Sequence, residues 1–112
     1  MNLCLRKYPK YYEAYIYRGK LYLKLKKYKE ALLDFEKAIS LHPDKYIGYI
    51  GRGDCLRLTE KYDDAKAVYS KALNLSKKNN ISLLLRRAIC SIELKRYDPA
   101  FDDIEELLSH DP

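Results

Sequence analysis

Lys27-Tyr28-Lys29-Glu30-Ala31 decides the fold once it is set beside Lys61-Tyr62-Asp63-Asp64-Ala65 and Arg96-Tyr97-Asp98-Pro99-Ala100. A basic residue, a tyrosine, two variable positions and an alanine return after 34 residues, and again after 35. Upstream, Tyr15-Ile16-Tyr17-Arg18-Gly19 returns as Tyr49-Ile50-Gly51-Arg52-Gly53 and, more faintly, as Leu84-Leu85-Arg86-Arg87-Ala88. Downstream, the series Phe35, Tyr69, Ile104 and the series Ala38, Ala72, Leu107 keep the same register. The extra residue of the second interval falls in Lys77-Lys78-Asn79-Asn80. A fixed period of this size marks a supersecondary unit that cannot bury its apolar face alone and must stack on copies of itself.

Each unit reads as two helices, over about residues 12–25 and 29–42 in the first, joined by a turn at Leu25-Lys26-Lys27. Where the two helices cross closely the side chains must be small. Gly19, Gly53 and Ala88 serve the first helix of each unit, and Ala31, Ala65 and Ala100 the second. A bulky replacement there overpacks by about 1–3 kcal/mol. Tyr15, Tyr22, Tyr28 and Phe35 fill the space beside them. Asp98-Pro99 places a cap acceptor before a proline whose missing N–H costs nothing in a first turn. Asp44, Asp63 and Asn80 are further cap candidates. The fold expected is all-α, a right-handed solenoid of antiparallel helix pairs with a concave side.

An aromatic, then Gly, then Tyr-x-x-Ala, an aromatic, Ala and Pro at a period of 34 resembles the tetratricopeptide repeat. The resemblance covers residues 12–45, 46–80 and 81–112 as three repeats, the third departing most. Residues 1–11 fit the end of a preceding repeat helix, because Pro9 stands 34 before Pro43 and Cys4 stands 34 before Ala38. The resemblance implies a binding scaffold for a protein or peptide, without enzymatic activity.

Arg18, Arg52 and Arg87 stand before the small residue, where such repeats more often carry Leu. Asp34 and Asp103 follow two of them by sixteen residues on the facing helix, which predicts the ion pairs Arg18–Asp34 and Arg87–Asp103. The second unit has Val68 at that place, so Arg52 is expected to turn to Asp34 of the preceding unit.

The bulk numbers bound the rest. The 112 residues carry a formal charge of +6, with 12 Tyr, 2 Phe and no Trp. That modest excess suits an acidic partner but not nucleic acid unless it gathers on one face. Cys4, Cys55 and Cys90 lack metal-ligand spacing and cannot all pair internally, which fits buried packing thiols in a reducing, cytoplasmic compartment. No stretch approaches the roughly 18 apolar residues of a membrane span. No cofactor or metal is expected, and no nucleophile–base–orienter set can be assembled. The helical Gly48-x-x-Gly51-x-Gly53 lacks the strand and Lys-Ser/Thr of a phosphate loop.

Counting three and four residues apart along each first helix gives a concave stripe. It runs Glu13, Ile16, Lys20 and Leu23; then Ile47, Ile50, Asp54 and Arg57; then Ser82, Leu85, Ile89 and Ile92, bordered by Tyr17, Gly51 and Arg86. Such a groove suits a peptide with apolar anchors. The carboxylate clamp of chaperone-tail adaptors maps onto Ile16, Lys20, Gly51, Ser82 and Arg86, and only Arg86 matches. Chaperone binding of that type is therefore not expected. A second reading uses the basic turns (Lys24, Lys26, Lys27, Lys29, Arg57, Lys61, Lys95, Arg96) to hold acidic tails or nucleic acid; a third is purely architectural. No polar capping helix follows Phe101, Ile104, Leu107 and Leu108, so a piece of a longer array, prone to end-to-end self-association, is expected.

Overall fold

The computed structural model describes residues 11–76 and 80–109, and every regular element among them is an α-helix. They are α1 (Tyr12–Lys24), α2 (Tyr28–Leu41), α3 (Ile47–Leu58), α4 (Tyr62–Ser76), α5 (Ile81–Glu93) and α6 (Tyr97–Ser109). The most intimate neighbours are α1 with α2, α3 with α4, and α5 with α6; α2 then packs on α3 and α4 on α5. The pairs thus stack in chain order into a solenoid with overall dimensions of 47 × 27 × 22 Å.

The three turns inside the pairs are built alike. Lys26, Glu60 and Lys95 adopt left-handed backbone, with φ of 61°, 66° and 60°. Their amides bond the carbonyls of Leu23, Arg57 and Ile92, and the following amides of Lys27, Lys61 and Arg96 bond those of Tyr22, Leu56 and Ser91. That double bond satisfies carbonyls orphaned at a helix C-terminus. Lys and Glu hold a conformation normally left to glycine, and every turn starts its second helix one residue earlier than expected for the first unit.

That early start corrects the cap at Asp98. Helix α6 begins at Tyr97, so Asp98 and Pro99 lie inside its first turn, where an amide has no intrahelical acceptor to lose. Asp63 likewise sits in the first turn of α4, and α3 starts after Tyr46 without a side-chain cap. Asn80 does cap α5, its side chain accepting from Leu83 N–H at 3.2 Å.

The core forms along the crossings. Ala31, Ala38, Ala65 and Ala72 are fully buried, with Ala88 and Ala100 nearly so. Phe35 lies between two glycines. A Cβ added at Gly19 would stand 2.9 Å from its ring, and one at Gly51, in the next unit, would enter the ring itself. Gly53 receives Tyr69 in the same way, at 2.5 Å from a notional Cβ. Cys55 joins the first cluster with Phe35 and Ala38, and Cys90 joins the second with Tyr69 and Ala72. Both are free, buried thiols. Cys4, and with it residues 1–10 of the expected preceding repeat helix, lie outside the described residues.

Candidate partner-binding site

The arginine before each small residue shows how the pairs are braced. Arg18 donates from Nε and Nη2 to the two oxygens of Asp34, both at 2.8 Å. Arg87 grips Asp103 identically, at 2.9 and 2.6 Å, and its Nη1 reaches Ser70 Oγ at 3.0 Å. Both aspartates are buried, so each needs its fork. Hydrogen bonding to the aspartate raises each guanidinium further above its ordinary range, against the cost of burial. Arg52 departs from expectation. Asp34 is already held at both oxygens, and Arg52 approaches Glu36 at 3.9 Å instead, both side chains well exposed.

The first helices meet around a hollow of about 230 Å³. Its wall brings together Lys20 and Leu23 of α1, Ile47, Ile50, Gly51 and Asp54 of α3, and Ser82 and Arg86 of α5, with Phe35 of α2 at its base. The sequence stripe had not included Phe35, which reaches the hollow because Gly51 leaves no side chain in front of it. Tyr17 stands at the border, exposed, with the Lys20 ammonium 5.4 Å from its ring centre.

Other stripe residues lie elsewhere. Ile16 is 4% exposed and belongs to the core beside Phe35; the stripe placed it a fraction of a turn too far towards the concave side. Leu85, Ile89 and Ile92 are not in this wall, because α5 contributes the side facing α3, where Ser82 and Arg86 project. Ile92 instead lines an apolar recess with Tyr97 and Phe101.

Asp54 and Arg57 are half-buried members of a network. Tyr69 donates its phenol proton to Asp54 at 2.5 Å, Arg86 Nε donates to the same oxygen at 3.0 Å, and Arg57 Nη2 lies 3.6 Å from it. Arg57 Nε donates to the Tyr69 hydroxyl at 3.1 Å. Burial, then the charge and hydrogen bond of Asp54, hold the Tyr69 phenol far above its ordinary range, so it stays a donor. Two guanidiniums thus share one carboxylate, and with Lys20 the wall keeps a positive surplus beside the apolar Leu23, Phe35, Ile47 and Ile50.

A second, more polar cleft has Lys66, Ser70, Arg87, Ser91, Pro99, Asp102 and Asp103 around it, but Arg87, Asp103 and Ser70 are engaged with one another there. The basic turn edge is thinned as well: Arg57 turns inward, and Arg96 pairs with Asp63 at 3.0 Å. Among the described residues no group of three or more His, Cys, Asp or Glu is placed to hold a metal, and no helix is long and apolar enough to cross a membrane.

Stacked helix pairs, small residues at each crossing and a hollow between first helices define a helical-repeat solenoid. Tetratricopeptide repeat models match residues 12–45 and 48–79, and the chain belongs to the tetratricopeptide repeat family. Comparison with curated proteins finds no match. Among solved structures it is similar to YrrB, described as a TPR protein with an unusual peptide-binding site: TM-score 0.87 and 20% identity over 98% of this chain. It spans 56% of the YrrB chain. The TPR domain of Arabidopsis OM64 superposes with TM-score 0.83 at 25% identity, over 90% of this chain and 83% of that one. The TPR2B domain of yeast Sti1, in a complex described as pHsp70, gives 0.81 at 23%, over 86% and 76%.

Proposed function

We propose that this chain is a protein–protein interaction module that takes an extended peptide of its partner in the hollow between α1, α3 and α5. The observation that carries the reading is the hollow itself: three successive first helices each contribute to one wall, as only stacked repeats can arrange. Ile47, Ile50 and Leu23 offer an aliphatic anchor site, while Lys20 and Arg86 stand ready for a carboxylate or main-chain carbonyls of the ligand. The peptide-binding site named for YrrB and the pHsp70 complex of TPR2B fit this reading. The ligand differs from a chaperone tail, since of the clamp positions Ile16 is buried, Gly51 has no side chain and only Arg86 supplies the matching donor. Free buried thiols suit a reducing, cytoplasmic setting.

Selection of binding peptides from a displayed library tests the reading. Ile47→Asp and Lys20→Glu alter exposed positions and leave the crossings intact. Each is expected to weaken selected peptides by about tenfold at unchanged melting temperature. Selected peptides that bind both variants as well as the parent would retire the hollow. Binding that survives both variants but falls steeply with salt would favour the basic turn edge instead.

A further inference from the structure

We infer that the cleft between α4, α5 and α6 is a second binding site, and that its ligand is a small zwitterion of the amino-acid class. The site stands apart from the hollow between the first helices. On α5, Arg87 and Ser91 lie about 140° round the helix from Ser82 and Arg86, which line the hollow. Each of the three helices turns a pair of side chains, one helical turn apart, towards the same space. They are Lys66 and Ser70 on α4, Arg87 and Ser91 on α5, and Pro99 and Asp103 on α6, with Asp102 beside them. The cleft measures about 320 Å³, at the lower end of the range for small-molecule sites.

One unit earlier the same positions are apolar. By repeat offset, Lys66, Ser91 and Asp103 succeed Leu32, Leu56 and Val68. Leu32 packs against the first core cluster, and Leu56 and Val68 against the second. Apolar side chains thus fill that place between the first two units, whereas the next interval carries an ammonium, a hydroxyl and a carboxylate. Asp103 is held by Arg87. The Ser91 hydroxyl is fully buried and has no hydrogen-bond partner among the described residues. Polar groups buried where apolar ones pack well sacrifice stability, and proteins make that sacrifice at functional sites.

The groups left uncommitted specify the ligand. Arg87 spends its guanidinium on Asp103 and Ser70. Ser70 accepts in that bond, so its own proton is available. Lys66 on the α4 wall and Asp102 on the α6 wall have no ion-pair partner among the described residues. A simple anion would meet Asp102 and the oxygens of Asp103, and a simple cation would meet Lys66 and Arg87. An apolar group would leave Ser91 unbonded. A zwitterion answers both walls: its carboxylate takes the Lys66 ammonium and the Ser70 hydroxyl, and its ammonium takes Asp102. Ser91, on the floor between those walls, then gains the partner it lacks.

L-glutamine, titrated into the isotope-labelled protein, is the probe. It is expected to bind with a Kd of ~1 mM and to shift the amides of Ser70, Ser91 and Asp102. Its N-acetyl amide, which lacks both charges, and acetate, which lacks the ammonium, should bind at least about tenfold more weakly. Lys66→Gln and Asp102→Asn should each weaken glutamine about tenfold, whereas Ile47→Asp in the hollow should leave it unchanged. Lys66→Leu with Ser91→Leu restores the apolar filling of the preceding unit. That pair should abolish binding and raise the melting temperature, and Lys66→Leu alone should do both in part. Failure to saturate, equal binding of the N-acetyl amide or of acetate, or indifference to Asp102→Asn would overturn the inference. So would refilled variants that both melt below the parent, because the polar set would then be holding the units together.

Discussion

Gly51 and Gly48 lie on the same helix and face the same neighbour, yet the space in front of them differs. At Gly51 a methyl group meets the rigid ring of Phe35, already confined by Gly19; at Gly48 it meets the flexible Ile39 side chain at 3.0 Å. Alanine in a helix gains about 1 kcal/mol over glycine, and overpacking costs about 1–3 kcal/mol. Gly51→Ala is therefore expected to lose about 1–2 kcal/mol in urea unfolding and to recover with Phe35→Leu, while Gly48→Ala should fall near neutral. Equal losses at both positions would contradict this reading. The arginine–aspartate pairs were legible in the sequence, because a rigid two-helix unit turns a spacing of sixteen residues into one side-chain contact. Arg52 was not, since its choice depends on Asp34 being saturated by Arg18. Ile16 was misplaced for a related reason: spacing by three and four describes a broad arc of helix surface, and the edge of that arc is core.

The helix pairs owe their identical turns to three residues that carry a Cβ where glycine is the usual solution. Left-handed backbone costs an L-residue roughly 1–2 kcal/mol, while glycine gives back part of that gain through unfolded-state entropy. Lys26→Gly, Glu60→Gly and Lys95→Gly should each stabilise by about 0.5 kcal/mol, adding up because the sites are well separated. A thermal melt of the triple variant at or below the parent's midpoint would mean that the long side chains contribute more than their backbone costs. The turn's location was readable from Leu25-Lys26-Lys27, but its double hydrogen bond was not, because no glycine announced it. The same early closure moved Asp98 from cap to first turn. The hollow was partly legible at this scale: α3 lines it with Ile47, Ile50, Gly51 and Asp54, whereas Arg57, also expected there, turns to Tyr69. On α5 the helix was correctly placed, but the side it turns to its neighbour was set by how the pairs stack, which one helix's periodicity does not contain.

At the scale of the whole molecule, Cys55 and Cys90 sit at the two seams between stacked units, so their desolvation reports stacking itself. Burial, followed by the charges of Asp54 and Glu36, pushes the Cys55 thiol from 9.0 up to about 12, and burial raises Cys90 in the same direction. An acid whose pKa rises on folding keeps its proton in the native state after the unfolded chain has released it. That contribution is intact below pH 9 and is lost as pH climbs towards 12. Each such thiol should steepen the decline by about 1.4 kcal/mol per pH unit. Cys55→Ala should remove one share of that slope, measured by denaturant unfolding from pH 8 upward; an unchanged slope would mean the seam is wet. The period of 34 residues made the order of stacking plain from the start, whereas the unequal bulk along each seam, with glycine behind one ring and arginine beside the other, emerges only once the units are laid together.

Asp54 belongs at once to the concave wall and, through the Tyr69 phenol, to the interior of the second unit, while Arg86 ties it to the third. Positions 54, 69 and 86 are therefore coupled: exchanging the tyrosine for phenylalanine would take one donor from the carboxylate and leave Arg57 Nε without its hydroxyl acceptor, loosening the cation that the carboxylate steadies. Drift in the interior is in this way visible at the surface, and a change of ligand preference can begin at a ring that no ligand touches.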